Sequence, residues 1–544
     1  MKWYNYSVAA ILLGVMLAGC TKLDTEPTGS TITSKQKEDV IASNPDMISA
    51  SVSGITAMFS VYCNILSDDH TDFGYPSIML ALDTRGTDLV GDDIGYNWFS
   101  RGLDLISDRT FNYRETRIVW GTLYNQIYAA NQVVGVMDKA ALAAIIDDPE
   151  KTPTADEGLS MFYLAQALAI RAFDYFNLAQ IYQFTYKGHE SDPCVPLILD
   201  TNANDAAANG CPRSSVQEVY DQIVEDLDYA IKFLEATQTK RADKRYVDAA
   251  VAHGLRARVR LVMQDYAGAA EDAQAALDAT DATPISKAEA SKPGFIKMTE
   301  PNWMWGVAVA ETDRVVTSGI INWPSHMGSL NYGYASVGAW RKISKKLYNA
   351  IPASDCRKGW FLDADSMSPN LSEEQQAYVI DEAGCPGYTQ VKFAPYKNEL
   401  YSSTNANDII LMRVEEMILL LAEAKARNND AAGAAADLKT FVATYRDPSF
   451  DVATDKDAVI DAVILQRRIE LWGEGHSYFD ILRLNQGLDR RGAGFDPKFV
   501  FNIAPDDPLL IFQIPKAEIE GNQALTDADN NPVGGTPEPV TDTE

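Results

Sequence analysis

The stretch EGLSMFYLAQALAIRAFDYFNLAQIYQ, residues 157–183, decides the fold class. Met161, Leu164, Leu168, Phe173, Phe176 and Ile181 recur at helical spacing on one broad side, with alanines interspersed, and the pattern stops before Gly188 and Pro193. A helix this long and apolar must bury that side against other helices. Upstream, Trp120, Tyr124, Ile127 and Val134 repeat at the same spacing between Arg114 and Asp138, which predicts a hairpin partner. Downstream, Ser215-Val216-Gln217-Glu218 is a capping box: hydroxyl and carboxylate satisfy free amide donors and open a helix through Tyr220, Ile223, Leu227, Ile231 and Leu234. Residues 246–264 and 267–279, rich in alanine and joined by Asp265-Tyr266, predict another tightly packed pair.

A second helical block is expected from about Asn407 through Met412, Met417, Leu420 and Leu421 to Arg427, then Ala431 to Tyr445, then Asp455 to Gly473. Helix pairs of roughly 34-residue period suggest tetratricopeptide-like stacking, in which each pair buries its apolar face only against the next. The fold class is therefore mainly α, a scaffold of stacked helix pairs. Between the blocks periodicity fails. Trp303 to Val309 alternates like a strand, whereas Asn322-Trp323-Pro324-Ser325-His326 and Asn331-Tyr332-Gly333-Tyr334 read as loops. A similar loop runs from Asp68 to Arg109 and contains Tyr96-Asn97-Trp98. Long irregular segments in compact domains usually carry function, and flat rings beside Asn suit the faces and hydroxyls of a sugar.

The N-terminus carries an address. Lys2 precedes an apolar run, Val8 to Leu17, that ends at Leu17-Ala18-Gly19-Cys20; the run suits a signal peptide and is too short to span a bilayer. Cleavage before Cys20 would make it a lipidated N-terminus, and an anchor of two or more acyl chains holds a protein stably on a membrane. A formal charge of -29 argues against nucleic-acid binding. In an exported protein Cys194 with Cys211, and Cys356 with Cys385, bracket loops that disulfides could close, while Cys63 ends an apolar helical pattern as a buried thiol. No C-x-x-C occurs, so zinc is not expected. Asp527-Ala528-Asp529-Asn530-Asn531 with Glu538 has the spacing of a calcium loop, but Pro532 stands where such a loop needs Gly, so a solvated tail without cofactor or metal is expected. Glu470 and Glu474 lie one helical turn apart among Arg467, Arg468 and Arg483, which favours ion pairs at a helix end over acid/base or metal chemistry. Trp303 and Trp305, on an alternating strand, are expected in the core.

With these motifs the chain resembles the SusD/RagB family of outer-membrane nutrient-binding lipoproteins. The likeness lies in Cys20-Thr21-Lys22-Leu23-Asp24-Thr25-Glu26-Pro27, Trp120 to Asn131, Ile170 to Phe176 followed by Val195-Pro196-Leu197, Arg467 to Arg483, and Ile514-Pro515 with Glu518 and Asn522. Gln466, His476 and Leu484 depart from the family's usual Glu, Arg and Trp, and its closing Asn-Pro is here Asn522-Gln523-Ala524-Leu525. The resemblance implies a leader over 1–19, a lipidated tether over 20–45, and an N-terminal helical region over 46–280 with its ligand-side loop at 68–110. An irregular lobe over 281–406, helical pairs over 407–483, and loops with a closing strand over 484–544 complete it. It further implies a non-catalytic, surface-exposed lipoprotein of a Gram-negative outer membrane that captures oligosaccharides for a SusC-like TonB-dependent channel. Trp98 and Trp323, assisted by Tyr96, Tyr332 or Tyr334, would stack on sugar rings while Asn97, Asn322 and Asn331 bond hydroxyls. A peptide-binding member of such an uptake pair and a surface glycoside hydrolase are the alternatives.

Overall fold

In the computed structural model residues 48–93 and 98–543 are described, so the leader and Cys20 lie outside the described residues. From Ser49 onward the chain is one compact unit. Its principal helices are α1 (Tyr75–Arg85), α2 (Arg114–Val134), α3 (Ala155–Tyr182), α4 (Val216–Ala236), α5 (Ala249–Met263), α6 (Tyr266–Ala279), α7 (Val414–Arg427), α8 (Ala431–Tyr445), α9 (Lys456–Glu470) and α10 (Ser477–Arg483). Among the described residues eight short strands pair antiparallel in four ribbons: β1 (Leu89–Val90) with β5 (Lys342–Ile343), β2 (Pro193–Pro196) with β3 (Arg213–Ser215), β4 (Trp303–Val307) with β6 (Ile409–Arg413), and β7 (Leu488–Asp489) with β8 (Asn502–Ile503). Among the described residues no single helix is long and apolar enough to cross a membrane.

The helices stack in sequence order, α2 on α3, α3 on α4, α4 on α5, α5 on α6. The stack then continues directly from α6 to α7, and from α7 to α8 and α9. The irregular lobe is thus an insertion between two helices that touch. Its root is the β4–β6 ribbon, where Val307 faces Ile409 and Trp303 faces Arg413. Both strands are buried throughout, and Trp305 packs edge-on against Phe173 of α3 with ring centroids 5.2 Å apart. The run Ile409 to Met412 is therefore strand where a helix start is expected. A short apolar run carries no decisive period, and pairing with β4 selects the extended form.

α3 is capped by Thr154, whose hydroxyl accepts from Glu157 N, and α4 by the expected box at Ser215 and Glu218. Every residue of α3 from Leu164 to Tyr182 is buried, so neighbours surround it rather than covering one side. Its polar side chains need internal partners. Arg171 donates two 2.7 Å bonds to Asp226 of α4 and 2.8 Å bonds to Asn131 of α2 and to Asp200, tying three layers together. Asp174 has no hydrogen-bond partner on either oxygen, and burial holds its carboxyl well above the usual range.

Glu470 and Glu474 do form ion pairs, but with remote partners. Arg413 reaches Glu470 at 2.7 Å and Glu474 at 2.8 Å, Arg446 and Arg357 reach Glu470 at 2.8 and 3.0 Å, and Lys392 reaches Glu474 at 2.5 Å. The flanking arginines turn elsewhere: Arg467 to Asp480, Arg468 to Asp88, and Arg483 to Glu423 and Asp480. The cluster bolts the inserted lobe to the ends of α8 and α9.

Several expectations are corrected. The disulfides Cys194–Cys211 and Cys356–Cys385 are not formed; the five described cysteines are free thiols. Cys194 is buried on β2 with its thiol pushed up to about 12 by burial, while Cys211 faces the Leu197 carbonyl at 3.8 Å. That loop is closed instead by β2–β3 pairing and by Asn522, which bonds both the N–H and the C=O of Cys211. Cys385 sits in an apolar cluster with Leu330, Leu362 and Val391, whereas the Cys356 thiol faces the Tyr445 carbonyl. Cys63 is half-buried, at φ 46, and its thiol donates to the Asp69 carbonyl. The tail is not simply solvated. Asn530 binds the Ile514 backbone and Asn531 is buried, donating to Tyr182 and Phe512 carbonyls, while Asp529 caps Thr526. Among the described residues no group of three or more His, Cys, Asp or Glu could hold a metal ion. The expected closing strand at Ile514 is extended chain without a regular ladder; Phe512 and Gln513 donate to the Ile181 and Arg109 carbonyls.

Candidate functional site

The segment 68–109 is not one loop. Gly74, at φ +88, lets the chain turn against the Phe59 carbonyl, and Pro76 then starts the buried helix α1. The turn before it is built by carboxylates: Asp72 accepts from Ile65 N and Leu66 N at 2.7 Å, and Asp69 accepts from the backbone and hydroxyl of Thr71. Between them His70 is carried to the surface. Its ring stacks on Trp98, centroids 4.6 Å apart and 18° between planes.

The inserted lobe meets the other side of His70. Tyr334 Oη and His70 Nδ1 are hydrogen-bonded at 2.5 Å. Tyr334 stacks on His326 at 4.7 Å, His326 on Phe73 at 5.6 Å, and Phe99 abuts His326 edge-on at 5.0 Å. A ring from the early loop and a ring from the lobe are thereby joined through one imidazole. Burial lowers the pKa of His70 and holds that of His326 well below the usual histidine range, so both are neutral at neutral pH. Gly333 is needed for this packing: a Cβ there would lie 2.5 Å from Ser325 Cα. Beside it, Tyr332 meets Tyr401 edge-on at 5.2 Å, and Tyr401 is 58% exposed.

The expected site residues separate into two groups. Trp98 and Tyr332 are half-buried, and Tyr334, which bonds the His70 that Trp98 stacks on, is 8% exposed. Trp323 is buried against Phe393 at 4.8 Å, and it opens a helical turn, Trp323–Met327, rather than lying in a loop. Asn322 is the cap of that turn, accepting from Ser325 N and donating to the Val315 carbonyl. Asn331 is buried, donating to the Pro324 carbonyl and to Asn405. These three are buried, and the two asparagines are bonded to protein groups within the lobe. Tyr96 and Asn97 lie outside the described residues. Trp303 and Trp305 are both fully buried, as expected.

His70 and Tyr401 join the face without having been anticipated. His70 is one of five histidines in the chain and sits in an Asp-His-Thr-Asp run, which is a turn signal. Tyr401 carries no local sign beyond its place among polar residues. Stacking faces and hydroxyls are what this surface presents, and the Nδ1 of His70 is already engaged by Tyr334.

Two family models match the chain: one described as the SusD family over residues 373–532, and one described as starch-binding associating with outer membrane over residues 94–261. A SusD-like protein P2 of Formosa agariphila is 25% identical, covering 97% of this chain and 99% of its own. Among solved structures, a SusD-like carbohydrate binding protein from Bacteroides vulgatus is 23% identical, with a TM-score of 0.70 over 90% of this chain and 98% of that one. A SusD superfamily protein from Bacteroides thetaiotaomicron is 19% identical, with a TM-score of 0.64 over 90% and 100%. A laminarin binding SusD-like protein is 19% identical, with a TM-score of 0.58 over 90% and 99%. At these identities the solved structures speak for the fold.

Proposed function

We propose that the chain is a member of the SusD/RagB family and a non-catalytic, lipid-anchored outer-membrane protein that captures oligosaccharides and passes them to a SusC-like TonB-dependent channel. The observation that carries the capture role is the ring face of Trp98, His70, Tyr332 and Tyr401, braced by Tyr334. Ring faces stack on the apolar faces of pyranoses, and the hydroxyls of Tyr332 and Tyr401 would bond sugar hydroxyls. Anchoring is supported by Leu17-Ala18-Gly19-Cys20. Binding of this kind is modest, with Kd between roughly 1 mM and 1 μM, which suits handing a ligand onward.

Isothermal titration of laminarihexaose and maltohexaose into the protein tests the reading. Trp98→Ala and Tyr401→Ala are each expected to weaken the better ligand by about 1 to 2 kcal/mol, roughly five- to thirty-fold. Unchanged affinity in both variants removes the site. Release of reducing sugar on prolonged incubation would instead mark an enzyme. Co-purification of a channel with the protein from solubilised outer membranes tests the partnership.

A further inference from the structure

A cleft of about 240 Å³ lies beside β5, walled by Lys342, Lys345, Tyr388 and Gly494. Lys345 N donates to the Ala493 carbonyl, and the lysine stem then lies over Gly494, which is at φ +94 and whose Cβ would sit 3.3 Å from Lys345 Cε. Its ammonium stands 5.6 Å from the centre of the Tyr388 ring, which meets Tyr348 edge-on at 5.2 Å. Tyr388 is held at φ 71, a conformation that costs a non-glycine residue about 1 kcal/mol. Among the described residues neither Lys345 nor its neighbour Lys346 has a carboxylate within ion-pair distance, although the chain carries 76 acidic residues against 47 basic ones. Local carboxylates are engaged elsewhere: Asp92 by Lys342, Asp489 by Arg491, and Asp363 by the amides of Asp365 and Met367.

An unpaired ammonium beside an aromatic face, inside a concavity, is complementary to a sugar ring bearing an anion. The ring packs on Tyr388 and the anion meets Lys345. We infer that this cleft is a second saccharide site, selective for an acidic sugar carrying a carboxylate or sulfate. It rests on the proposed capture role for the class of ligand and on Lys345 for its place.

Titration of the full chain with hexagalacturonate, laminarihexaose and sodium sulfate, at low and at physiological salt, tests it. Lys345→Gln changes an exposed side chain and is expected to fold normally. It should weaken hexagalacturonate by about tenfold, less so at the higher salt, and leave laminarihexaose unchanged. Trp98→Ala should retain hexagalacturonate binding. Equal hexagalacturonate affinity in Lys345→Gln and the parent overturns the site, as does the absence of any hexagalacturonate binding. Competition by sulfate alone, mole for mole as effective as the hexamer, overturns its saccharide character. If hexagalacturonate binds through Lys345 while both neutral hexamers fail, the cleft stands and the Trp98 face falls.

Discussion

Replacing Glu470 with Gln should destabilise the whole unit, because its carboxylate is the meeting point of three arginines that have no water to fall back on. Arg413, Arg446 and Arg357 are each fully buried and each donate to it. In the cluster four cations, Arg357, Arg413, Arg446 and Lys392, face four carboxylates, Asp355, Glu415, Glu470 and Glu474, so the native charge is balanced. Glu470→Gln leaves one buried positive charge uncompensated, and breaking a buried pair in this way costs about 3 to 5 kcal/mol. A unit of roughly 500 residues has an unfolding entropy near 1 kcal/mol per degree, so calorimetry should show a Tm lowered by about 3 to 5 °C. The pH dependence gives a second reading. Burial alone would raise the Glu470 carboxyl, but Arg446, Arg413 and Arg357 hold it well below the usual carboxylate range. A depressed folded pKa supplies stability above the unfolded value, about 4.3, and loses it as pH falls further toward the folded one. The gap between parent and variant should therefore narrow in acid. An unchanged Tm at neutral pH, or a gap that widens in acid, would refute this account.

Asp174→Asn should stabilise the protein by about 1 to 3 kcal/mol at neutral pH, because the acid is buried on α3 with both oxygens unpartnered; denaturant unfolding reads it, and a loss of stability would show a partner that matters. Burial raises Glu115 to about 7 despite Arg101 at 2.6 Å. Its folded pKa exceeds the unfolded one, so stability should fall as pH rises from about 4.3 to 7 and then level, and Glu115→Gln should flatten that slope. Gly333→Ala places a methyl 2.6 Å from the Ser325 carbonyl oxygen, which should cost about 1 to 3 kcal/mol and displace Tyr334 from His70, weakening glycan binding with Trp98 itself intact.

Local chemistry was legible in the chain. The capping box at Ser215 and Glu218, the breaker residues after α3 and the helical spacing of Trp120 to Val134 all act within a few residues, so they specify helices wherever those helices end up. Motifs spread along the chain carried the family likeness for the same reason. Helical stacking followed because apolar helices of this kind cannot remain unpaired. The inserted lobe was visible as a loss of period, and of the loop aromatics singled out in the chain, Trp98 of the early loop and Tyr334 of the lobe are brought together through His70.

Long-range matters were decided only by tertiary packing. Whether an aromatic is covered is a property of what arrives beside it: Trp323 and Trp98 look alike in sequence, yet Trp323 is buried against Phe393 while Trp98 stacks on His70 and stays half-buried. Partner choice among charges behaves the same way. Glu470 lies three residues from Arg467 but is claimed by Arg357, Arg413 and Arg446, because a buried carboxylate must be satisfied by whichever donors the fold brings into its dry surroundings. The helices are thus written in near-neighbour interactions, whereas the aromatic face and the ion cluster exist only where remote segments meet.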